Sequence, residues 1–255
     1  ARSLEVARQR DDHWVITRSL SGLGDIAWKS SDYEAAHSHL QASLEVAEAL
    51  DDHSQIANIF NMLGIVYAMQ NDMETGRRYF EQTLELTQVI GDRERSAQVI
   101  NNLGELARLN HDLKEASLRY QQAVELHEEA GNKTGETLSR INVGMIAFDA
   151  GELDESRQIL QDALKTAVKL GALPLVLAAV AGLAQVFAKT DEPLQSVELL
   201  AMVLHHPASN SHIRDNQVQP ALDDLRGQIE PEAFEAALAR GAALDLDMAA
   251  ARFLR

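Results

Sequence analysis

The chain of 255 residues contains no cysteine. That excludes a disulfide framework and any thiolate metal site, and it fits a reducing compartment. Proline is scarce: there are five, and all lie beyond residue 173, so nothing in the first two-thirds breaks a helix interior. Aromatic residues make up only 5%. Basic residues are outnumbered, with 23 Lys plus Arg against 39 Asp plus Glu, a net charge of −16 and a pI near 4.9. A nucleic-acid partner needs a basic footprint, and none is present. There is no apolar run of eighteen residues and no signal-peptide pattern, so no membrane partner is expected. What remains is 45% hydrophobic and dominated by Ala, Leu and Glu, a composition that favours helices and suffices for a sizeable core.

The sequence repeats every forty residues. Gly24, Gly64, Gly104 and Gly144 fall in one column that Ala184 closes, and Leu23, Leu63, Leu103, Val143 and Leu183 precede them. Twelve residues on comes a second small column, Ala36, Gly76, Ala116, Ser156 and Ser196. Four further is a large apolar column, Leu40, Phe80, Tyr120, Leu160 and Leu200, then Leu44, Leu84, Val124, Leu164 and Leu204. A fixed period of this length marks a solenoid whose units bury their apolar faces only against neighbours. The small columns let two helices approach closely, with Gly104 expected against Ala116, and the large residues fill the space around that contact.

This arrangement resembles the tetratricopeptide repeat, with its Leu-Gly pair on helix A and small-then-large pattern on helix B. The aromatic column of helix A is partly kept, as Ala27, Tyr67, Ala107, Ala147 and Phe187. The forty-residue period resembles the longer repeats of kinesin light chains and bacterial regulators. The implied fold class is all-α, a right-handed α-solenoid of antiparallel helix pairs with a C-terminal helical cap. Residues 1–207 form the expected array, a partial repeat over 1–10 followed by five helix pairs, and residues 208–255 the cap. Because Ser3 to Gly24 aligns with Ser43 to Gly64, the chain is expected to start inside a helix B, as a piece of a longer protein with at least one more repeat upstream.

Helix A segments are predicted over 12–29, 52–69, 92–109, 133–149 and 173–188. Helix B segments are predicted over 33–49, 73–89, 113–129, 152–170 and 192–205. Gly91, Gly131 and Gly171 end B helices where a left-handed residue is wanted, with Asp51 in the same column. Asp32, Asp72, Asp112 and Asp191 suit N-caps, while Gly151-Glu152 departs from that pattern. Beyond His205-His206-Pro207, one helix is expected over 209–228, kinked or restarted at Pro220. Another starts at Pro231 and is closed by Gly241, and a last one runs from Asp245 to Leu254.

The tail, HHPASNSHIRDNQ…IEPEAFEAALARGAALDLDMAAARFL, resembles the C-terminus of bacterial STAND-type regulators, which include relatives of the maltose-regulon activator and of antibiotic-cluster activators. In these LuxR-like signalling proteins a P-loop ATPase is the switch and the repeats are the sensor. The resemblance implies a cytoplasmic protein and an upstream P-loop ATPase module, although no GxxxxGK stretch occurs in these residues.

No catalytic constellation, metal site or cofactor motif stands out, so no enzyme activity, metal or cofactor is expected. His205-His206 lacks a spaced third ligand and reads as a helix end. The remaining functional surface is the helix A face that lines the groove of such arrays. Its columns hold Arg18, Ser21, Asp25 and Trp28; Asn58, Asn61, Ile65 and Ala68; Gln98, Asn101, Glu105 and Arg108; and Leu138, Ile141, Met145 and Phe148. The last repeat adds Ala178, Ala181, Gln185 and Ala188. Trp28 and Phe148 are expected to be exposed there. Kinesin-light-chain-like repeats carry Asn before the Leu-Gly pair to hold an extended peptide; Asn102 and Asn142 match that column, and Asn61 and Asn101 precede it by one. The chaperone-tail clamp of other tetratricopeptide proteins matches poorly, since its Lys and Asn columns hold Asp25, Ile65 and Glu105 or Ser21, Asn61 and Asn101. The candidate ligand-binding residues are therefore Arg18, Trp28, Asn58, Asn61, Asn101, Asn102, Glu105, Arg108, Asn142, Met145 and Phe148. The expected function is a protein- or peptide-binding sensor or scaffold, the alternative being a spacer or self-association array with no groove ligand.

Overall fold

A computed structural model of the chain describes residues 4–7, 12–190, 192–210, 213–251 and 253. Those residues contain helices and turns and no strand. Residues 4–7 are helical. The helix pairs follow as α1 (His13–Lys29), α2 (Tyr33–Ala49), α3 (His53–Met69), α4 (Met73–Ile90), α5 (Arg93–Leu109), α6 (Leu113–Glu129), α7 (Lys133–Asp149), α8 (Leu153–Leu170), α9 (Leu173–Ala188) and α10 (Pro193–His205). A π-helical segment, Arg214–Val218, leads into α11 (Gln219–Arg226), and α12 (Pro231–Ala242) and α13 (Leu246–Ala251) end the chain. The predicted A and B segments agree with α1 to α10 to within a residue at each boundary. The chain divides into two compact units, residues 1–130 and 131–255.

In residues 1–130 each odd helix packs on the even helix after it, and the odd helices α1, α3 and α5 also touch in succession. Aspartate starts each of α1 to α6. Asp12, Asp32, Asp52, Asp72, Asp92 and Asp112 each accept a hydrogen bond from the backbone N–H three residues on, at 3.0–3.1 Å. This satisfies one of the donors that a helix N-terminus leaves unpaired. Gly91 ends α4 at φ +72°, and Asp51 takes the same column at φ +52°. The repeat core follows from the glycine column. A Cβ built on Gly24 would lie 2.7 Å from Leu40 Cγ, one on Gly64 2.6 Å from the Phe80 ring, and one on Gly104 2.9 Å from the Tyr120 ring. Gly104 therefore faces Tyr120 and Arg119 rather than Ala116. The small column packs instead on the backbone of helix A, where a Cβ on Gly76 would stand 3.0 Å from the Gly64 carbonyl. Each large side chain buried in this way contributes about 1.5–3 kcal/mol.

One column is uneven. Val66 is 0% exposed and Leu106 1%, but Ile26, their counterpart on α1, is 63% exposed. Val66 clusters with Ala36 and Leu40 of the preceding α2. Residues 4–7 cover α1 only partly: Leu4 and Ala7 pack with Ile16 and Leu20.

Residues 131–255 repeat the design with different chemistry. Ser156 Oγ donates to the Gly144 carbonyl at 2.8 Å, and Ser196 Oγ to the Ala184 carbonyl at 2.7 Å. The small column here is both small and hydrogen-bonding. Asn132 caps α7 through the Gly135 N–H at 2.9 Å, whereas Glu152 makes no side-chain cap on α8. The cap expected from Asp191 lies outside the described residues. The tail differs from expectation in two places. Ser209 and Asn210 are not helical and Ile213 is, its N–H held by Asn210 Oδ1 at 2.9 Å, and the π-helical segment precedes Pro220. Proline cannot donate to the residue four before it, so the wider segment sits where that bond is lost. Gly241 does not close its helix; α12 runs to Ala242. Gly241 is buried against Glu198 and Ala201 of α10, where any side chain would collide with backbone. α12 thus packs closely on α10, and the boundary expected at 207 falls inside this unit. The helix end expected at Leu254 lies outside the described residues; Phe253 stacks on Phe187, ring centroids 5.8 Å apart.

Candidate functional site

The odd helices of residues 1–130 line one face. On α1, Arg18 is exposed and its guanidinium lies 4.6 Å from the centroid of the Trp14 ring. Trp14, itself 52% exposed, is an aromatic that the repeat columns did not single out, because every equivalent position is polar or proline. Trp28 is half-buried rather than exposed. Its ring packs on the α2–α3 core and its Nε1 donates to Asp25 Oδ1 at 3.1 Å. Lys29 holds the same carboxylate at 2.7 Å and lies 5.7 Å from the ring centroid. Ser21 leaves the face altogether. It is buried between Thr17 and Ser43, 2.9 Å from Ser43 Oγ, because its column turns toward α2.

The next two odd helices meet side by side. Asn102 Nδ2 on α5 donates to Asn61 Oδ1 on α3 at 2.9 Å. Both are half-buried, and among the described residues the pair's second donor and second acceptor are given to no other group. Asn58, half-buried on α3, makes a weak contact from Nδ2 to Met62 Sδ at 3.8 Å. Asn101 is half-buried on α5. Glu105 accepts two hydrogen bonds from Arg108, at 2.8 and 3.0 Å, and one from the Tyr120 hydroxyl at 2.7 Å. Burial first, and then the Glu105 charge, push the Tyr120 phenol well above its ordinary range. The buried hydroxyl therefore remains a donor and holds the carboxylate in place. The face combines a fixed ion pair, amides and the edge of an indole, which is recognition chemistry rather than bond-making chemistry.

In residues 131–255 the remaining candidates sit on α7. Asn142 is half-buried. Met145 packs against Gly182 of α9, its sulfur 3.0 Å from where a Cβ would be. Phe148 is half-buried, not exposed, and packs on the core of this unit. Ile141 and Ala181, from the same columns, are buried.

His205 Nδ1 meets the Ala201 carbonyl at 2.8 Å, and His206 Nδ1 accepts from the Ala208 N–H at 3.1 Å. Both rings thus close the end of α10. Among the described residues no group of three His, Asp or Glu could hold a metal ion, and no helix is long and apolar enough to cross a membrane.

Models of the tetratricopeptide repeat match residues 15–75, 55–129 and 138–170, more than half of the chain together. No curated protein sequence matches. Among solved structures, BtubC (BKLC) from P. vanneervenii is similar with a TM-score of 0.65 at 18% identity, over 90% of each chain. The signal transduction ATPase with numerous domains (STAND) carrying a tetratricopeptide repeat sensor, from Pyrococcus horikoshii, is similar with a TM-score of 0.67 at 14% identity. That match covers 94% of this chain and 38% of the other. The Rap conjugation gene regulator of plasmid pLS20, in complex with the Phr* peptide, has a TM-score of 0.64 at 13% identity, covering 98% of this chain and 78% of the other.

Proposed function

The chain belongs to the tetratricopeptide-repeat family, and we propose that it binds a protein or peptide on the face of α1, α3 and α5. The observation that carries this is the Asn61–Asn102 pair. Whichever way the two amides are oriented, one NH2 group and one C=O are left over, the complement of a peptide backbone's own C=O and N–H. Trp28 and the Glu105–Arg108 pair flank it with side chains of the kind that anchor interfaces. The Phr* peptide held by a structural neighbour supports a ligand of this class. The net charge of −16 favours a ligand that is neutral or basic, with association slowed by salt.

The test is selection of peptides on the chain from a random display library. Asn61→Ala and Asn102→Ala should each weaken the selected peptides by about 0.5–1.5 kcal/mol, and Trp28→Ala by about 2 kcal/mol. Gln82→Ala, on the exposed side of α4, should change nothing.

A finer reading makes this array the sensor arm of a larger, cytoplasmic bacterial signalling ATPase of the STAND type. The sequence of the tail and the likeness to the Pyrococcus sensor support it. A Walker A motif in the gene upstream of these residues would bear it out, and a parent protein without one would remove it.

A further inference from the structure

The end of α4, the start of α5 and the end of α6 border an open cavity of ≈ 340 Å³ within residues 1–130. Buried Thr87, Ser96 and Ile100 form its floor, half-buried Leu126 a wall, and exposed Gln88 and Arg93 its mouth. Forty residues earlier the columns of Thr87, Ser96, Ile100 and Leu126 hold Ala47, Ile56, Phe60 and Leu86. There Phe60 and Leu86 pack against a cluster that includes Ala47 and Ile56, and the Phe60 ring lies 5.6 Å from that of Tyr79. On α5, serine stands where α3 has isoleucine, and isoleucine where α3 has phenylalanine. Apolar volume is thus removed from two inner positions one turn apart, and the cavity lies beside them. The floor makes no polar demand on what lies above it. Ser96 Oγ, with one proton, has Thr87 Oγ1 at 2.8 Å and the Asp92 carbonyl at 3.0 Å, and Thr87 Oγ1 donates to the Leu84 carbonyl at 3.0 Å. Both hydroxyls are satisfied inside the chain, so an apolar group above them strands neither. At the mouth Arg93 is paired with Glu129 at 3.4 Å, which leaves the entrance close to neutral. The volume falls in the range of about 300–1,000 Å³ that small-molecule sites occupy.

We propose that this cavity binds a small uncharged aromatic molecule, a phenyl ring bearing a short polar group. The ring takes the place that the Phe60 side chain fills one repeat earlier, lying on Leu126 and on the outer edge of Ile100. The polar group faces the mouth, beside the Gln88 amide. The site is separate from the Asn61–Asn102 pair and does not depend on the reading given for the α1–α3–α5 face.

The experiment is a fluorine NMR titration of the 255-residue chain with 4-fluorobenzyl alcohol. The probe should bind saturably at one site. Ile100→Phe supplies the ring from within the chain, as α3 does, so it should weaken the probe about tenfold or more and raise the melting temperature. Leu126→Ala, which removes a wall, should also weaken the probe. Asn61→Ala, on the other face, should bind it as the parent does. Absence of saturable binding at millimolar probe overturns the proposal, and so does binding that survives both Ile100→Phe and Leu126→Ala. A lower melting temperature in Ile100→Phe would show that the space does not admit a ring and overturns it too. Loss of the probe in Asn61→Ala would move it to the α1–α3–α5 face and likewise overturn the assignment.

Discussion

The ring of Tyr120 fills the space beside Gly104 so completely that a Cβ on Gly104 would stand 2.9 Å from ring carbons Cδ1 and Cε1. Gly104→Ala should therefore destabilise the chain by about 1–3 kcal/mol of overpacking, outweighing about 1 kcal/mol gained in helix propensity. Gly22 has nothing within 4 Å of such a Cβ. Gly22→Ala, on helix α1, should stabilise by about 0.5–1 kcal/mol. Urea midpoints should thus move in opposite directions for the two variants. Movement in the same direction would contradict the packing described for the glycine column.

The Tyr120 hydroxyl, bound to Glu105, has its ionisation pushed upward by burial and by the neighbouring charge. A raised folded-state value means that the unfolded chain loses the proton first. The contribution to stability is present below the unfolded phenol value of about 10 and is lost as pH rises above it. Melting temperatures of the parent should fall on going above about pH 10, and the slope should be shallower in Tyr120→Phe. Equal slopes would show that the hydroxyl is not held as described.

Helix α8 begins at Glu152, which makes no side-chain cap, although its φ of −84° and ψ of 64° lie close to those of the capping aspartates. Glu152→Asp shortens the side chain by one methylene and should add a cap, raising stability by about 0.5–1 kcal/mol, while Asp72→Ala should lower it by about 1 kcal/mol. Thermal melts of the two variants check both signs.

The period of forty residues made the helix pairs legible, because small and large columns have meaning only when they recur on facing helices. Gly24, Gly64 and Gly104 with Leu40, Phe80 and Tyr120 are a single contact written three times. The aspartates at the starts of the odd helices were less legible: Asp12, Asp52 and Asp92 sit inside the predicted segments, and only the backbone shows that they cap. Gly241 was misread as a helix end because a glycine near a helix terminus looks the same whether it turns the chain or admits a neighbour. The face was read at the level of columns. Its details depend on rotation of each helix by a fraction of a turn, which buries Ser21 against Ser43 and tucks Trp28 and Phe148 against their cores. The cavity beside Ile100 was not read, because smaller residues at Ser96 and Ile100 leave space only if the helices around them do not close in, and the columns do not carry helix spacing.

The central claim is that partners engage the face of α1, α3 and α5. The most direct measurement is the affinity of library-selected peptides for the parent, Asn61→Ala, Asn102→Ala, Trp28→Ala and Gln82→Ala, taken by calorimetry at two salt concentrations. The account predicts losses at Asn61, Asn102 and Trp28, with Gln82→Ala indistinguishable from the parent. Peptides that bind all three face variants as they bind the parent, and lose affinity only with Gln82→Ala, would contradict it.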